Sequence, residues 1–305
     1  MSLISIVSVV LLIATLVIGF LWVRGPSSDP PPEPAARPSL QTTGELMYEI
    51  RGEGEPVLLI HGALIEDTFL PLLGQPALSG YRLILYHRRG YGRSAPLTGP
   101  FSMAEQAADA RALLDHLGVD RAHVVGLSGG GVTALQLALD APERVHSLVL
   151  LEPALISHFV GDLSWRGSFY FMLARLRASL GNPVGATRAF LDFAGGPDWR
   201  EDSAIAAPWA PEQADRASRV FFAIDLPSVA GFEWNDEQAA RITQPVLWIH
   251  GGKSVLPIGT AKRLVPGWFP EADFVVVPDA THMLPMHAPR AVAEAIAGFL
   301  PKHRL

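Results

Sequence analysis

VVGLSGGGVTALQLAL, residues 124–139, joins a short apolar run to a helix-forming run through glycines and one serine. Glycine costs about 1 kcal/mol relative to alanine inside a helix, so Gly129, Gly130 and Gly131 at a helix start call for a backbone that side chains would obstruct. Gly126-Leu127-Ser128-Gly129-Gly130 matches G-x-S-x-G between a predicted strand and a predicted helix. In that setting a serine sits on a strand-to-helix turn so sharp that positions two before and two after it have no room for side chains. A phosphate-cradling loop would read G-x-G-x-x-G or G-x-x-x-x-G-K-[ST], and neither pattern is present.

Upstream, residues 58–63 read LLIHGA, an apolar strand ending in His-Gly. Beside a serine of this kind, the loop after such a strand supplies one backbone N–H to a developing oxyanion, and the residue after the serine supplies the other. Those positions are Ala63 and Gly129, and each such donor is worth about 3 to 4 kcal/mol.

Short apolar runs then alternate with helical patterns, which predicts an α/β domain with a mostly parallel sheet and helices on both faces. Strands are expected over 47–51, 57–61, 82–86, 123–126, 147–151, 246–249 and 274–277, and helices over 103–117, 130–139, 258–264 and 288–300. The alternation stops over 156–243, where aromatics such as Phe190, Phe193, Trp199, Phe221 and Trp234 accumulate and the patterns at 168–180 and 211–224 are helical. This stretch reads as a helical cap inserted after the sixth strand, its aromatics mostly core and a minority available to a pocket. The core then spans 41–155 and 244–305.

Three further motifs accompany these two. Residues 86–94 read YHRRGYGRS, residues 245–251 read PVLWIHG, and residues 279–285 read DATHMLP. Together with HGA and GLSGG, their order and spacing over about residues 46–300 resemble the α/β-hydrolase superfamily. The resemblance implies that His282 is the base that takes the proton of Ser128. It leaves His287 as a fallback and His61 as structural; His116, His123, His146, His158 and His303 read as surface or satisfied core residues. Most superfamily members carry an aspartate where this chain has Ser254, and no carboxylate stands in that loop. Some members take the acid from the end of the strand after the serine, and here that residue is Glu152. Asp279 is the other carboxylate near the histidine, and a chain with no true acid is the remaining reading. Relatives that open epoxides or remove halides use aspartate as nucleophile, so Ser128 points to acyl transfer.

Residues 3–23 run 21 positions without a charge, about 30 Å of helix and the thickness of a bilayer core. No Lys or Arg precedes the run and no A-x-A-like site stands before Arg24, which favours a retained single-pass anchor over residues 1–24 rather than a cleaved leader. Arg24 and Arg37 alone do not fix the side of the membrane. A proline-rich linker follows over 25–40. The net charge of −6 argues against a nucleic-acid partner, and the absence of cysteine excludes disulfides, thiolate metal sites and a cysteine nucleophile.

The expected protein is a membrane-anchored serine hydrolase of an apolar, ester-like small molecule. Ser128, His282 and Glu152 are catalytic, Ala63 and Gly129 form the oxyanion hole, the bilayer is met through residues 3–23, and no cofactor or metal is implied. Carbon–carbon bond hydrolysis, thioester or peptide hydrolysis, perhydrolysis and a non-catalytic binding role remain alternatives within the same fold.

Overall fold

The computed structural model describes residues 40–163, 165–196 and 198–305. The expected anchor, and the linker up to residue 39, lie outside these residues. Among the described residues no helix is long and apolar enough to cross a membrane.

The apolar runs form β1 (Gln41–Thr42), β2 (Met47–Arg51), β3 (Glu55–Ile60), β4 (Tyr81–His87), β5 (Ala122–Leu127), β6 (Val145–Leu151), β7 (Val246–Gly251) and β8 (Asp273–Val277). They build one sheet in the order β1-β2-β4-β3-β5-β6-β7-β8. β2 runs antiparallel to both its neighbours, and every pairing from β4 to β8 is parallel. β1, two residues long, is too short to carry a readable period.

Continuous apolar runs suit parallel strands because both sheet faces are buried. Successive residues of β3 demonstrate it: Leu58 and Ile60 enter the core beneath α1 (Met103–His116) and α2 (Gly129–Asp140), whereas Val57 and Leu59 enter the opposite core. A capping box formed by Ser102 and Glu105 starts α1.

Between β6 and β7 the described residues form helices and no strand. The main ones are α3 (Trp165–Ser179), α4 (Pro183–Ala194), α5 (Trp199–Ala206), α6 (Ala210–Val220) and α7 (Asp236–Arg241). The helix expected over 211–224 is helical throughout but changes its winding. α6 runs to Val220, a π turn covers Phe221–Asp225, and a short helix, Leu226–Ala230, follows. Pro227 explains the change, since its ring lacks an N–H and clashes with the carbonyl four residues back, widening the preceding turn. α8 (Ile258–Trp268) overruns its expected end at 264 and continues through Pro266, ending on the buried Trp268. α9 (Pro289–Phe299) closes the fold, burying Val292, Ile296 and Phe299 as the spacing predicts.

The chain moves from β3 to β4 on one side, then returns to place β5 on the other side of β3. The carboxyl ends of β3 and β5 thus meet where strand order reverses, the usual place for a ligand crevice in an open parallel sheet.

Candidate active site

Ser128 stands at this crossing. Its backbone has φ 53° and ψ −119°, a left-handed conformation that costs a non-glycine residue of order 1–3 kcal/mol. Hydrogen bonds hold the turn: Ser128 N–H donates to Leu151 O (3.0 Å), and Ser128 O accepts from Gly131 N–H and Ala154 N–H, each at 3.0 Å. The glycines around it have distinct causes. A Cβ on Gly126 would lie 2.5 Å from Gly130 O, one on Gly130 would lie 2.2 Å from Ile60 O, and one on Gly131 would lie 2.9 Å from Pro153 Cβ. A Cβ on Gly129 would meet only Val229 at 3.6 Å and Ala63 N at 4.0 Å. The amide of Ala63 therefore lies beside Gly129.

Glu152 follows β6 in a second left-handed conformation, φ 45°, and is fully buried. Its Oε1 accepts from Gly251 N–H at 2.7 Å. Its Oε2 accepts from Ser254 Oγ–H at 2.8 Å and from His282 Nδ1–H at 2.5 Å. A buried carboxylate requires such donors, and here one of them fixes the imidazole with its proton on Nδ1 and its Nε2 lone pair available. Ser254 does not touch the imidazole; it supports the acid that does. Asp279 is exposed and pairs with Lys253 at 2.9 Å, and His287 meets Ser203 at 3.2 Å.

Sequence reading did not single out His250. Its ring is buried, Nε2–H donates to Leu256 O at 3.1 Å, and Nδ1 faces Glu152 Oε1 at 3.5 Å. Burial pulls its pKa down, against the opposing pull of Glu152. The only sequence sign was its place beside the glycines that end β7.

A second buried network was also missed. Arg88 donates to Asp225 through both terminal nitrogens (3.0 and 2.8 Å), and Tyr91 O–H donates to Asp225 Oδ2 as well. Burial alone would lower the Arg88 pKa, but Asp225 and Tyr91 outweigh it and raise it. Arg88 Nη2–H also donates to Gly62 O at 3.0 Å, joined there by His61 Nδ1–H at 2.7 Å. Burial first, then the charge of Arg88, depress the His61 pKa well below its ordinary value, so the ring is neutral and its Nε2 accepts from Arg88 N–H at 2.9 Å. Because a trans peptide points its C=O and N–H in opposite directions, anchoring Gly62 O aims Ala63 N–H the other way.

Ser128, Gly129, Ala63 and His282 line one cavity of about 120 Å³, walled by apolar side chains including Phe159, Phe190, Phe193, Phe221 and Val229. Of the aromatics noted in the sequence, three reach this cavity, while Trp199 and Trp234 are buried in the hydrophobic clusters. Among the described residues no group of three His, Asp or Glu side chains is placed to hold a metal ion.

A model of the alpha/beta hydrolase fold matches residues 55–289. The chain belongs to the alpha/beta hydrolase fold family. Within that family it is 30% identical over 268 residues to the dihydrolipoyllysine-residue acetyltransferase component of the acetoin cleaving system of Pseudomonas putida, covering 84% of this chain and 66% of that one. It is 31% identical over 272 residues to the protein of Caulobacter sp. (strain K31) named "Putative carbamate hydrolase RutD", covering 85% of this chain and 97% of the relative. The chain thus spans just under two thirds of the first relative and nearly all of the second. A solved hydrolase from Pseudomonas aeruginosa PA01 superposes with a TM-score of 0.72 at 23% identity, over 87% of this chain and 99% of that one, a likeness of fold.

The Arg88–Asp225 pair gives this alpha/beta hydrolase a test of its own. Asp225→Ala leaves a buried guanidinium without its counter-charge, a loss expected to cost about 3 to 5 kcal/mol in chemical denaturation. Pairing it with Arg88→Met recovers most of that stability but not the donor to Gly62 O. A single variant as stable as the parent would show that the pair does not tie the loop after β4 to the helices between β6 and β7.

Proposed function

We propose that the protein is a membrane-anchored serine hydrolase that cleaves an ester-like bond of a compact apolar substrate through an acyl-enzyme on Ser128. The observation that carries this reading is the buried Glu152 carboxylate holding His282 Nδ1–H, in a cavity shared by His282, Ser128 and the Ala63 and Gly129 amides.

His282 Nε2 takes the Ser128 hydroxyl proton as Oγ attacks the substrate carbonyl. Glu152 offsets the imidazolium charge, and the Ala63 and Gly129 N–H groups receive the oxyanion. The proton then passes from His282 to the departing alkoxide, which leaves as the alcohol. Water, deprotonated by the same imidazole, attacks the acyl-enzyme and releases the acid, returning the proton to Ser128. A dry cavity of about 150 Å³ holds benzene, so the 120 Å³ here suits a short acyl chain or a small ring. A carbamate, the substrate class in the name of the Caulobacter relative, is an acyl compound of the same kind. The uncharged run over residues 3–23 supplies the anchor in this reading, and the bilayer its location.

A fluorophosphonate probe tests the proposal. The folded full chain is expected to form one adduct, mapped to Ser128 by peptide mass spectrometry and absent from Ser128→Ala. Folded protein that takes up no label at Ser128 would return the chain to the non-catalytic members of its fold.

A further inference from the structure

Helix α3 turns an apolar edge to the outside. Phe169, Met172, Leu176 and, one residue past the helix end, Leu180 are 44%, 59%, 40% and 62% exposed. Spacings of three, four and four residues align them on one helix face. Large apolar side chains scattered singly over a surface need no explanation, but a row of them marks a contact site. The same helix, WRGSFYFMLARLRAS, contains three arginines and no acidic residue, in a chain whose net charge is −6. An exposed apolar row on a helix whose only charged residues are arginines suits contact with an anionic bilayer surface.

Behind this edge runs an open groove of about 1060 Å³, lined by Ala178 and Ser179 from α3 and by Phe222 and Ala223 from the π turn. Ile156 and Leu226 line both this groove and the Ser128 cavity. These two side chains are therefore common to both linings.

We propose that α3 seats the cap on an anionic bilayer, and that substrate dissolved in that bilayer enters the Ser128 cavity through the groove, past Ile156 and Leu226. This rests on the reading of the chain as a membrane-anchored hydrolase. On that reading the run over residues 3–23 and the linker after it would make the contact intramolecular, since sixteen residues with six prolines can span at most about 50 Å at about 3.1 Å per residue. Tethering on that scale gives a high local concentration, so a weak surface contact suffices. A second copy of the chain is the rival occupant, and its helix would bring three more arginines and no acidic residue.

The absence of cysteine makes the test direct. Met172→Cys and, at the opposite end of the sheet, the exposed Glu143→Cys are each labelled with an environment-sensitive fluorophore in the full chain. Both are placed in phosphatidylcholine vesicles with and without phosphatidylglycerol. The label at 172 is expected to be quenched by lipids carrying a doxyl group, more strongly with phosphatidylglycerol present, and the label at 143 to be unaffected. Met172→Glu combined with Leu176→Glu and Leu180→Glu is expected to slow hydrolysis of a long-chain alkyl acetate, whose short acyl group suits the cavity and whose tail dissolves in the vesicles, about tenfold, with p-nitrophenyl acetate hydrolysed as before. A label at 172 that behaves like the one at 143 overturns the proposal. So does a label at 172 that becomes buried without lipid as protein concentration rises, which assigns the face to a second copy. Failure of Ser128 to take up fluorophosphonate counts against the hydrolase reading alone, because quenching at 172 is read without any turnover.

Discussion

Glu152→Gln is expected to lower ester turnover by about 10⁴-fold, the size of the loss in a serine protease when an amide replaces the buried acid. Three donors converge on this carboxylate, with Gly251 N–H on one oxygen and Ser254 O–H and His282 Nδ1–H on the other. An amide supplies one acceptor only. If its oxygen stays with Gly251, its NH₂ confronts His282 Nδ1–H and drives the imidazole proton to Nε2, the atom that in the proposed mechanism accepts from Ser128. If it turns over, the NH₂ confronts Gly251 N–H and the imidazolium still loses its counter-charge. Ser254→Ala removes a single hydrogen bond to a charged group and is expected to cost about tenfold. Both are read as kcat on p-nitrophenyl acetate, with folding checked by circular dichroism. A Glu152→Gln enzyme within tenfold of the parent, or a larger loss in Ser254→Ala, would place the acid elsewhere.

Gly130→Ala should cost about 5 kcal/mol or more and leave little folded protein, which puts it among the few single changes that exceed the usual range. The added Cβ would lie 2.2 Å from Ile60 O and 2.4 Å from His61 O. Neither oxygen can retreat cheaply, because β3 is paired with β4 on one side and β5 on the other. Gly129→Ala is the contrast. Its Cβ meets Val229 at ordinary contact distance, so the fold tolerates it and the effect falls on the cavity and on turnover. Thermal unfolding of the two variants side by side separates them, and equal midpoints would refute the packing account of the GGG run.

The parallel sheet was legible because strands buried on both faces read as unbroken apolar runs, as in LVLL of β6. The turn that carries Ser128 was legible because a sharp strand-to-helix turn has few sequence solutions. Glu152 was named as a candidate, but nothing in its neighbours announced that a loop about 100 residues later would bring Gly251 and Ser254 to it. That convergence is a product of β6–β7 pairing, and pairing between distant strands leaves no local trace. Asp225 was illegible for a similar reason: within FFAIDLP it resembles a surface carboxylate, and only the π turn before Pro227 carries it into contact with Arg88. The run over residues 3–23 is conspicuous in sequence and lies outside the described residues.

The guanidinium of Arg88 reaches a carbonyl in the sheet-end loop and a carboxylate in the inserted helices at once. Core and insert are therefore not interchangeable modules. A chimaera that grafts another relative's insert onto this scaffold, lacking an acid at the position of Asp225, would strand a buried cation beside the peptide that carries Ala63 N–H. Exchange of the whole set of helices between β6 and β7 therefore requires positions 88 and 225 to change together.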